Sequence, residues 1–138
     1  DVVRDVVALY RGAHRDVQFH TELDESLPYM SFDREQINRV FVNLFDNAVQ
    51  AMDQRGHLRI TTSHDVKRRR AVVTVSDDGP GIGPEDMDKL FLPYFTRKRA
   101  GTGLGLAIVQ RIITDHEGQI RAGRNEPKGA VFTFELPV

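Results

Sequence analysis

One long amphipathic segment constrains the fold of this chain more than any other feature. Between Ser31 and Gly56, apolar residues recur every three or four positions, at Ile37, Val40, Phe41, Leu44, Phe45, Ala48 and Met52. This spacing places them on one stripe of an α-helix, and Ser31 and Asp33 both offer an N-cap before it. The sequence therefore predicts a long helix that ends before Gly56 and packs its apolar face against another layer.

Stretches of alternating or β-branched residues predict strands before and after this helix. Strands are expected at 16–23, 58–64, 71–76, 119–123 and 130–136, and further helices at 1–10, 84–90 and 104–115. This mixed order, with the last two strands adjacent, predicts an α/β (α+β) two-layer sandwich with helices on one face of a mixed sheet. The charged segment 65–70 is interpreted as a solvated hairpin rather than as a binding patch.

The composition excludes several classes of protein. The chain has 138 residues, no cysteine and a net charge of -1, so it suits one domain without disulfides or thiolate metal sites and has no overall charge to attract nucleic acid or a membrane. No apolar run approaches the roughly 20 residues that span a bilayer, and no signal peptide opens the chain, so a cytoplasmic location is expected. A helix is already in progress at Asp1, which we interpret as the sign of a piece of a longer protein.

A glycine-rich segment, Gly101-Thr102-Gly103-Leu104-Gly105-Leu106, stands at the start of the predicted helix at 104–115. Glycines there let backbone N–H groups approach a phosphate, and the start of a helix favours negative charge. The segment is not a Walker A loop, because no Gly-Lys-Ser/Thr follows, and Leu106 breaks the G-x-G-x-x-G dinucleotide fingerprint. A flexible loop before an ordinary helix is the alternative interpretation.

Two further clusters offer polar groups for binding. In Asp77-Asp78-Gly79-Pro80-Gly81-Ile82, the carboxylate of Asp77 at a strand end could accept a hydrogen bond from the exocyclic amine of adenine. A tight Asp-Gly turn is the alternative, and Asp78 is interpreted as a solvated turn residue. In the long helix, Asn43 and Asn47 share one face, where an amide oxygen could bind Mg²⁺; a capping or interhelical hydrogen bond is the alternative.

In chain order, with Phe91-Leu92-Pro93-Tyr94-Phe95 between the second and third clusters, these motifs resemble the N, G1, F and G2 boxes of histidine-kinase catalytic domains. The wider superfamily also contains gyrase, Hsp90 and MutL. The resemblance extends from the strand near Val17 to the closing 131–137, and the Phe-Thr-Arg-Lys before a short lid is similar to nitrogen-regulation kinases of the NtrY/NtrB type. One departure is Ala130, which follows Gly129 where a second glycine is common.

The resemblance implies a Bergerat-type fold that binds ATP and Mg²⁺. It implies Asn47 as the Mg²⁺ ligand and Asp77 as the carboxylate that reads adenine. The candidate catalytic residues are Asn43, which would support the same helix face, and Lys98, which would reach the terminal phosphate. Arg97 and Arg99 compete with Lys98 for that role, and the other implied nucleotide contacts are Gly79, Gly81, Ile82, Phe95, Gly101, Thr102, Gly103, Leu104 and Gly105.

The same resemblance implies that the chain binds Mg-ATP and presents its γ-phosphate to a histidine on a separate dimerisation domain, as in two-component sensor kinases. Residues 1–14 would be the end of a linker helix from that missing domain, and 15–138 the catalytic domain. The implied partners are the dimerisation and phosphotransfer domain and, indirectly, a response regulator. The parent protein is expected to be a homodimer, with anchoring in the inner membrane left open, and no nucleic-acid partner is expected.

Two departures narrow the expected chemistry. Related ATPases carry a Glu four residues before the metal-binding Asn, and Asn43 stands there instead, so rapid hydrolysis is disfavoured because an amide is no general base. His116 is interpreted as a helix-terminal or solvated residue. A phosphoacceptor setting is absent from all five histidines, His14, His20, His57, His64 and His116. Self-labelling of the isolated chain is therefore not expected. An ATP-gated binding module and an anti-sigma type Ser/Thr kinase are the alternative functions.

Overall fold

The computed structural model describes residues 2–28, 30–93 and 105–138. The helices in these residues are α1 (Val2–Ala13), α2 (Arg34–Ala51), α3 (Pro84–Met87) and α4 (Gly105–Asp115). The strands are β1 (Val17–Glu22), β2 (Gly56–Asp65), β3 (Arg70–Asp77), β4 (Gln119–Arg124) and β5 (Ala130–Pro137). Asp33 is the N-cap of α2, as one of the two candidates predicted, because its side chain accepts a hydrogen bond from the Gln36 N–H at 3.1 Å.

The strands form one mixed sheet in the order β1-β2-β3-β5-β4. β1 runs parallel to β2, and the other three pairs are antiparallel. A parallel pair needs a crossover connection, and α2 lies in that connection between β1 and β2. Because β3 is the central strand, its last residue, Asp77, lies in the middle of one end of the sheet.

The core lies between this sheet and the helices. Alternate strand residues are buried, including Phe19, Leu58, Ile60, Val75, Phe132 and Phe134. Helix α2 supplies its predicted stripe, in which Phe45 is 0% exposed and Phe41 meets the ring of Phe134 with centroids 5.6 Å apart. Helix α4 adds Val109 and Ile113, both fully buried. The predicted two-layer α/β sandwich on a mixed sheet is confirmed.

Helix α1 is part of the same core. Its buried face consists of Val2, Val3, Val6, Val7 and Tyr10. The ring of Tyr10 contacts Phe45 edge to face at 5.3 Å, and its hydroxyl donates to the Asp46 carboxylate at 2.5 Å. Arg11 donates to the Phe19 carbonyl at 2.8 Å, so α1 is tied to both α2 and β1. The division of the chain at residue 14 into linker and catalytic domain stays a prediction.

Residues 66–69 of the hairpin are exposed, in line with its interpretation as a solvated turn, and one of them also has a buried partner. Arg68 forms two hydrogen bonds with the Glu135 carboxylate, at 2.6 and 2.8 Å, although the Glu135 side chain is only 3% exposed. The Arg68 hydrogen bonds hold the pKa of Glu135 below its usual range. The sequence does not predict this ion pair, because Arg68 is one of several consecutive basic residues and its partner lies 67 residues away.

The boundaries of most elements differ from the expected ones by one to three residues. Helix α3 ends at Met87 rather than at 90, and β3 continues to Asp77. The second difference matters for the site, because it makes Asp77 the last residue of a strand rather than the first of a loop. Within the described ranges, no helix combines the length and the apolar character needed to cross a membrane.

Candidate nucleotide-binding site

The carboxylate of Asp77 is buried and held by backbone donors. Asp77 is 3% exposed. Its Oδ1 accepts hydrogen bonds from the Gly79 N–H at 2.9 Å and the Ala130 N–H at 3.2 Å. A carboxylate has about four acceptor sites on its two oxygens, and it can accept hydrogen bonds from several donors at once. The carboxylate is thus fixed in direction at the end of the central strand.

The two glycines after Asp77 allow the loop to approach its surroundings closely. A Cβ on Gly79 would lie 3.0 Å from the Ala51 carbonyl oxygen at the end of α2. Gly81 has a φ of +83°, and a Cβ there would lie 2.9 Å from the Gly129 carbonyl oxygen. Gly81 therefore requires glycine for its close approach and its left-handed backbone, whereas a Cβ at position 79 would need the end of α2 to shift by a few tenths of an ångström. The next residue, Ile82, is partly buried and packs against the core.

Asn43 and Asn47 lie on the side of α2 near the start of α4. Both are partly buried. A Cβ on Gly105, the first residue of α4, would lie 3.7 Å from the Asn43 Oδ1. The structure thus brings the amide-bearing face of α2 to the start of the helix that follows the glycine-rich segment. Gly79 packs on the end of the same helix, so α2 contacts both the loop after β3 and the first residue of α4.

Several predicted site residues lie outside the described residues. These are Phe95, Lys98, Gly101, Thr102, Gly103 and Leu104, together with the competing Arg97 and Arg99. Their predicted roles stay predictions. Just before this segment, the ring of Phe91 packs edge to face on Phe132 with centroids 6.4 Å apart, which anchors the end of the preceding loop to the sheet.

The interpretation of Asp78 as a solvated turn residue is wrong. Asp78 is half-buried, and its Oδ1 accepts a hydrogen bond from the His57 N–H at 3.1 Å. Asp78 therefore fixes the start of β2 to the loop after β3. The two neighbouring aspartates therefore have different partners. Asp77 accepts from the N–H groups of Gly79 and Ala130, and Asp78 accepts from the N–H of His57.

The interpretation of His116 as a helix-terminal or solvated residue holds for its position, because His116 directly follows the last residue of α4, but the side chain is half-buried and hydrogen-bonded. Its Nε2 lies 3.0 Å from the Asp33 N–H and its Nδ1 lies 2.8 Å from the Ile112 carbonyl oxygen. A backbone N–H can only donate and a carbonyl can only accept, so in this arrangement Nε2 accepts and Nδ1 donates. His116 thus links the end of α4 to the N-cap of α2.

Sequence reasoning missed Asn125, a contact of the Asp77 loop. Its side-chain Nδ2 donates to the Asp77 carbonyl oxygen at 2.8 Å. Asn125 stands in the Asn-Glu-Pro-Lys-Gly segment between β4 and β5, where Asn reads as an ordinary turn residue. No signal in the sequence alone indicates that this turn contacts a loop 48 residues earlier.

These features define what the site can bind. A buried carboxylate with a fixed direction suits the exocyclic amine of adenine, and the start of α4 suits a phosphate. The amide oxygens of Asn43 and Asn47 are hard ligands of the type that Mg²⁺ takes. Among the residues that the structure describes, no three His, Cys, Asp or Glu side chains form a metal-holding group.

Comparisons with known proteins agree with this geometry. The family model of the histidine kinase-, DNA gyrase B- and HSP90-like ATPases matches residues 32–138. Sensor histidine kinase ZraS of Salmonella typhimurium is 40% identical over 124 residues, which are 90% of this chain and 26% of that protein. The chain therefore spans about a quarter of that relative's length. The name of this relative does not test the nitrogen-regulation subtype, which stays a prediction.

Solved structures give the same result. The nucleotide-free catalytic domain of histidine kinase ThkA superposes with a TM-score of 0.89 at 37% identity, covering 99% of this chain and 90% of that one. ThkA in complex with response regulator TrrA superposes with a TM-score of 0.83 at 34% identity, covering 99% and 39%. The chain belongs to the histidine kinase-, DNA gyrase B- and HSP90-like ATPase family, as an ATP-binding catalytic domain of the sensor histidine kinase type.

Proposed function

We propose that this domain holds Mg-ATP with its γ-phosphate directed at a histidine on a separate dimerisation domain. The observation that carries the proposal is the Asp77 carboxylate, buried at the end of the central strand and fixed by two backbone N–H groups. A carboxylate accepts from the amine of adenine, whereas guanine presents a carbonyl at that position, so this group selects ATP over GTP. Asp77 is then the residue that reads the base.

The remaining described residues follow from this placement. Gly79 and Gly81 keep the loop beside the base free of side chains, and Gly105 begins the helix whose N-terminus faces the phosphates. Gly101, Thr102, Gly103 and Leu104 are proposed to line the phosphates, Phe95 to contact the nucleotide, and Lys98 to reach the γ-phosphate. Arg97 or Arg99 could take the last role instead.

Mg²⁺ is proposed as the cofactor that neutralises the phosphate charges. Asn47 supplies a neutral amide oxygen, and Mg²⁺ keeps most of its ligands as water and phosphate oxygens in sites of this kind. The donor set of the described residues fits that requirement, because it offers amide oxygens without a carboxylate cage. Asn43 orients the same face of α2 toward the start of α4.

The site is suited to transfer rather than to hydrolysis. An amide such as Asn43 cannot take a proton from water, so the described face of α2 offers no general base at the position where related ATPases carry Glu. Phosphoryl transfer depends mainly on positioning and charge neutralisation, and this arrangement supplies both. The nucleophile is proposed to come from outside the chain.

The parent protein is proposed to be a homodimeric sensor kinase that passes its phosphoryl group to a response regulator. The structural similarity to ThkA, which is known in complex with the response regulator TrrA, supports this choice. The domain would act in the cytoplasm, and this placement is compatible with a parent anchored in the inner membrane. The proposal includes no nucleic-acid partner.

Calorimetric titration with a non-hydrolysable ATP analogue tests the nucleotide site. With Mg²⁺ present, we expect binding that GTP does not reproduce and that Asp77→Asn weakens at least about tenfold, since a hydrogen bond to a buried charge is lost. Asp53→Asn is the matched control, because Asp53 is exposed and its positive φ of 53° also suits Asn. Equal affinity for ATP and GTP, or an unaffected Asp77→Asn variant, would contradict the proposal.

Radiolabelled ATP tests the acceptor. The chain alone is expected to stay unlabelled, whereas the same chain joined to the dimerisation domain of its parent protein should gain acid-labile phosphate. Phosphohistidine on the isolated chain would refute the claim that the acceptor is external. Acid-stable label would point to serine or threonine and favour the anti-sigma type of kinase, and nucleotide binding without any transfer would favour an ATP-gated module.

A further inference from the structure

The turn between β4 and β5 contacts the Asp77 loop at both its main chain and its side chain. Asn125 donates through Nδ2 to the Asp77 carbonyl oxygen at 2.8 Å, and the Ala130 N–H donates to the Asp77 Oδ1 at 3.2 Å. The register of β3 and β5 ends at Ser76 opposite Val131, so these contacts lie beyond the strand pairing. The turn is therefore attached to the loop by bonds of its own.

The hydrogen bonds of Asn125 fix the orientation of its amide. Its Nδ2 must donate, because the Asp77 carbonyl can only accept, and its Oδ1 accepts from the Glu126 N–H at 3.1 Å. The Asn125 N–H donates to the Gly129 carbonyl oxygen at 3.0 Å and closes the turn. One half-buried residue thus links the shape of the turn to the backbone position of Asp77.

Steric contact makes the attachment stiff. Gly129 has a φ of +109°, and a Cβ there would overlap with the Asp77 carbonyl oxygen. On the other side, Gly81 approaches the Gly129 carbonyl so closely that a Cβ would lie at 2.9 Å. The turn and the loop approach each other closely on both sides of Gly129, so a change in the shape of the turn bears directly on the backbone of Asp77.

We infer that Asn125 is a positioning residue for base recognition: it holds the β4–β5 turn so that the Ala130 N–H stays on the Asp77 Oδ1 and the carboxylate keeps its direction before the nucleotide arrives. This inference rests on the proposed role of Asp77 in reading adenine. Asn125 acts through Asp77 and need not touch the ligand. A preset direction avoids the entropy loss of ordering the carboxylate on binding.

The test compares ATP with purine riboside triphosphate, which lacks the exocyclic amine. Asn125→Asp has the same shape and keeps the acceptor for the Glu126 N–H but loses the donor to Asp77, and Asn125→Ala loses both. We expect each variant to reduce the preference for ATP over the amine-free nucleotide by about fivefold to tenfold, the scale of one hydrogen bond. The control is Lys128→Ala, because Lys128 is an exposed residue of the same turn.

Equal weakening of both nucleotides by the Asn125 variants would show a merely structural role and overturn the inference, as would an unchanged preference. Amide hydrogen exchange adds a measurement that needs no nucleotide. The Ala130 N–H should exchange faster in Asn125→Asp than in the unsubstituted chain. Unchanged exchange there would also overturn the inference. Failure of the parent chain to discriminate between ATP and GTP would instead refute the proposed function, so the two failures are distinguishable.

Discussion

Gly129 shows at the scale of one residue how the candidate site is built. The Asp77 carbonyl oxygen occupies the space where a Cβ of residue 129 would stand. The neighbouring Ala130 departs from the double glycine that the family resemblance leads one to expect, yet its N–H donates to Asp77 and its side chain is buried. Only the first glycine of the pair is therefore required by close approach, and the departure at Ala130 leaves the site intact.

We expect Gly129→Ala to destabilise the domain by about 1 to 3 kcal/mol, because it combines a positive φ with overlap against a backbone atom. Urea denaturation measures the loss. Gly123→Ala is the control, since Gly123 lies in β4 with open space where a Cβ would stand and should change stability by less than about 1 kcal/mol, in the stabilising direction. Similar losses at both positions would argue against the described packing.

Residues that act through a local pattern were predictable from the sequence. Asp77, Gly79 and Gly81 belong to one short motif, and the structure brings them to the end of α2 and the turn before β5. The hydrogen bonds of Asp78 and His116 were not predicted, because their partners, the N–H groups of His57 and Asp33, are distant in the chain. A side chain that bonds a distant backbone group has no periodicity or spacing that reveals it.

At the scale of elements, a side-chain hydrogen bond connects helix α1 to helix α2. The Tyr10 hydroxyl donates to the Asp46 carboxylate on α2, and burial, together with Asp46, raises the pKa of Tyr10. The hydroxyl therefore stays protonated and remains a donor over the ordinary pH range. Asp46 directly precedes Asn47, so α1 is fixed to the stretch of α2 that carries the proposed Mg²⁺ ligand.

Tyr10→Phe should lower the free energy of unfolding by about 1 kcal/mol, the contribution of one hydrogen bond, while the ring contacts with Phe45 persist. Leu9→Ala on the same helix is the control. Leu9 is 68% exposed, so its truncation should change stability by less than about 0.5 kcal/mol. Thermal or urea unfolding gives both values. A Tyr10→Phe variant as stable as the unsubstituted chain would show that the hydroxyl does not stabilise the fold.

Elements with a clear apolar pattern were predicted well, whereas the end of the short helix α3 was not. The α2 stripe and the β-branched strands are set by local burial, so their bounds came within a few residues of those observed. Helix α3 has only four residues and none of them is buried. Without an apolar face, its end at Met87 depends on the loop that follows, which the sequence pattern does not describe.

At the scale of the whole molecule, the ion pair of Arg68 with Glu135 joins the β2–β3 hairpin to β5. The Val138 N–H adds a hydrogen bond to the Arg69 carbonyl at 3.0 Å, so the end of the chain is closed against the same hairpin. Glu135 has a lowered pKa in the folded state, chiefly through the hydrogen bonds of Arg68. A carboxyl of this kind stabilises the fold above its unfolded pKa, about 4.3, and less as the pH falls toward its folded pKa.

The melting temperature of the parent chain should therefore fall between about pH 5 and pH 3. Glu135→Gln removes this titrating group, so its melting temperature should fall less over the same interval. Glu126→Gln is the control, because Glu126 is exposed and its variant should follow the parent. Identical pH profiles for the parent and Glu135→Gln would show that Glu135 does not contribute to the acid sensitivity.

The overall architecture could be predicted from the order of the elements, whereas the hydrogen bonds and ion pairs between distant segments could not. Mixed helices and strands with two adjacent final strands indicated one mixed sheet, and the sheet order places β3 at its centre. Pairs such as Arg68 with Glu135 and Asn125 with Asp77 join segments 67 and 48 residues apart. Their geometry is decided by the assembled sheet, so only the folded molecule reveals them.

The close fit of the β4–β5 turn to the Asp77 loop also limits how this domain can diverge. Two segments separated by 48 residues are closely packed and hydrogen-bonded to each other, so a change in the length or shape of one has to be matched in the other. Substitutions in the turn and in the loop should therefore accumulate together during evolution. A chimera that receives the turn of a distant relative would need the loop of the same ancestor.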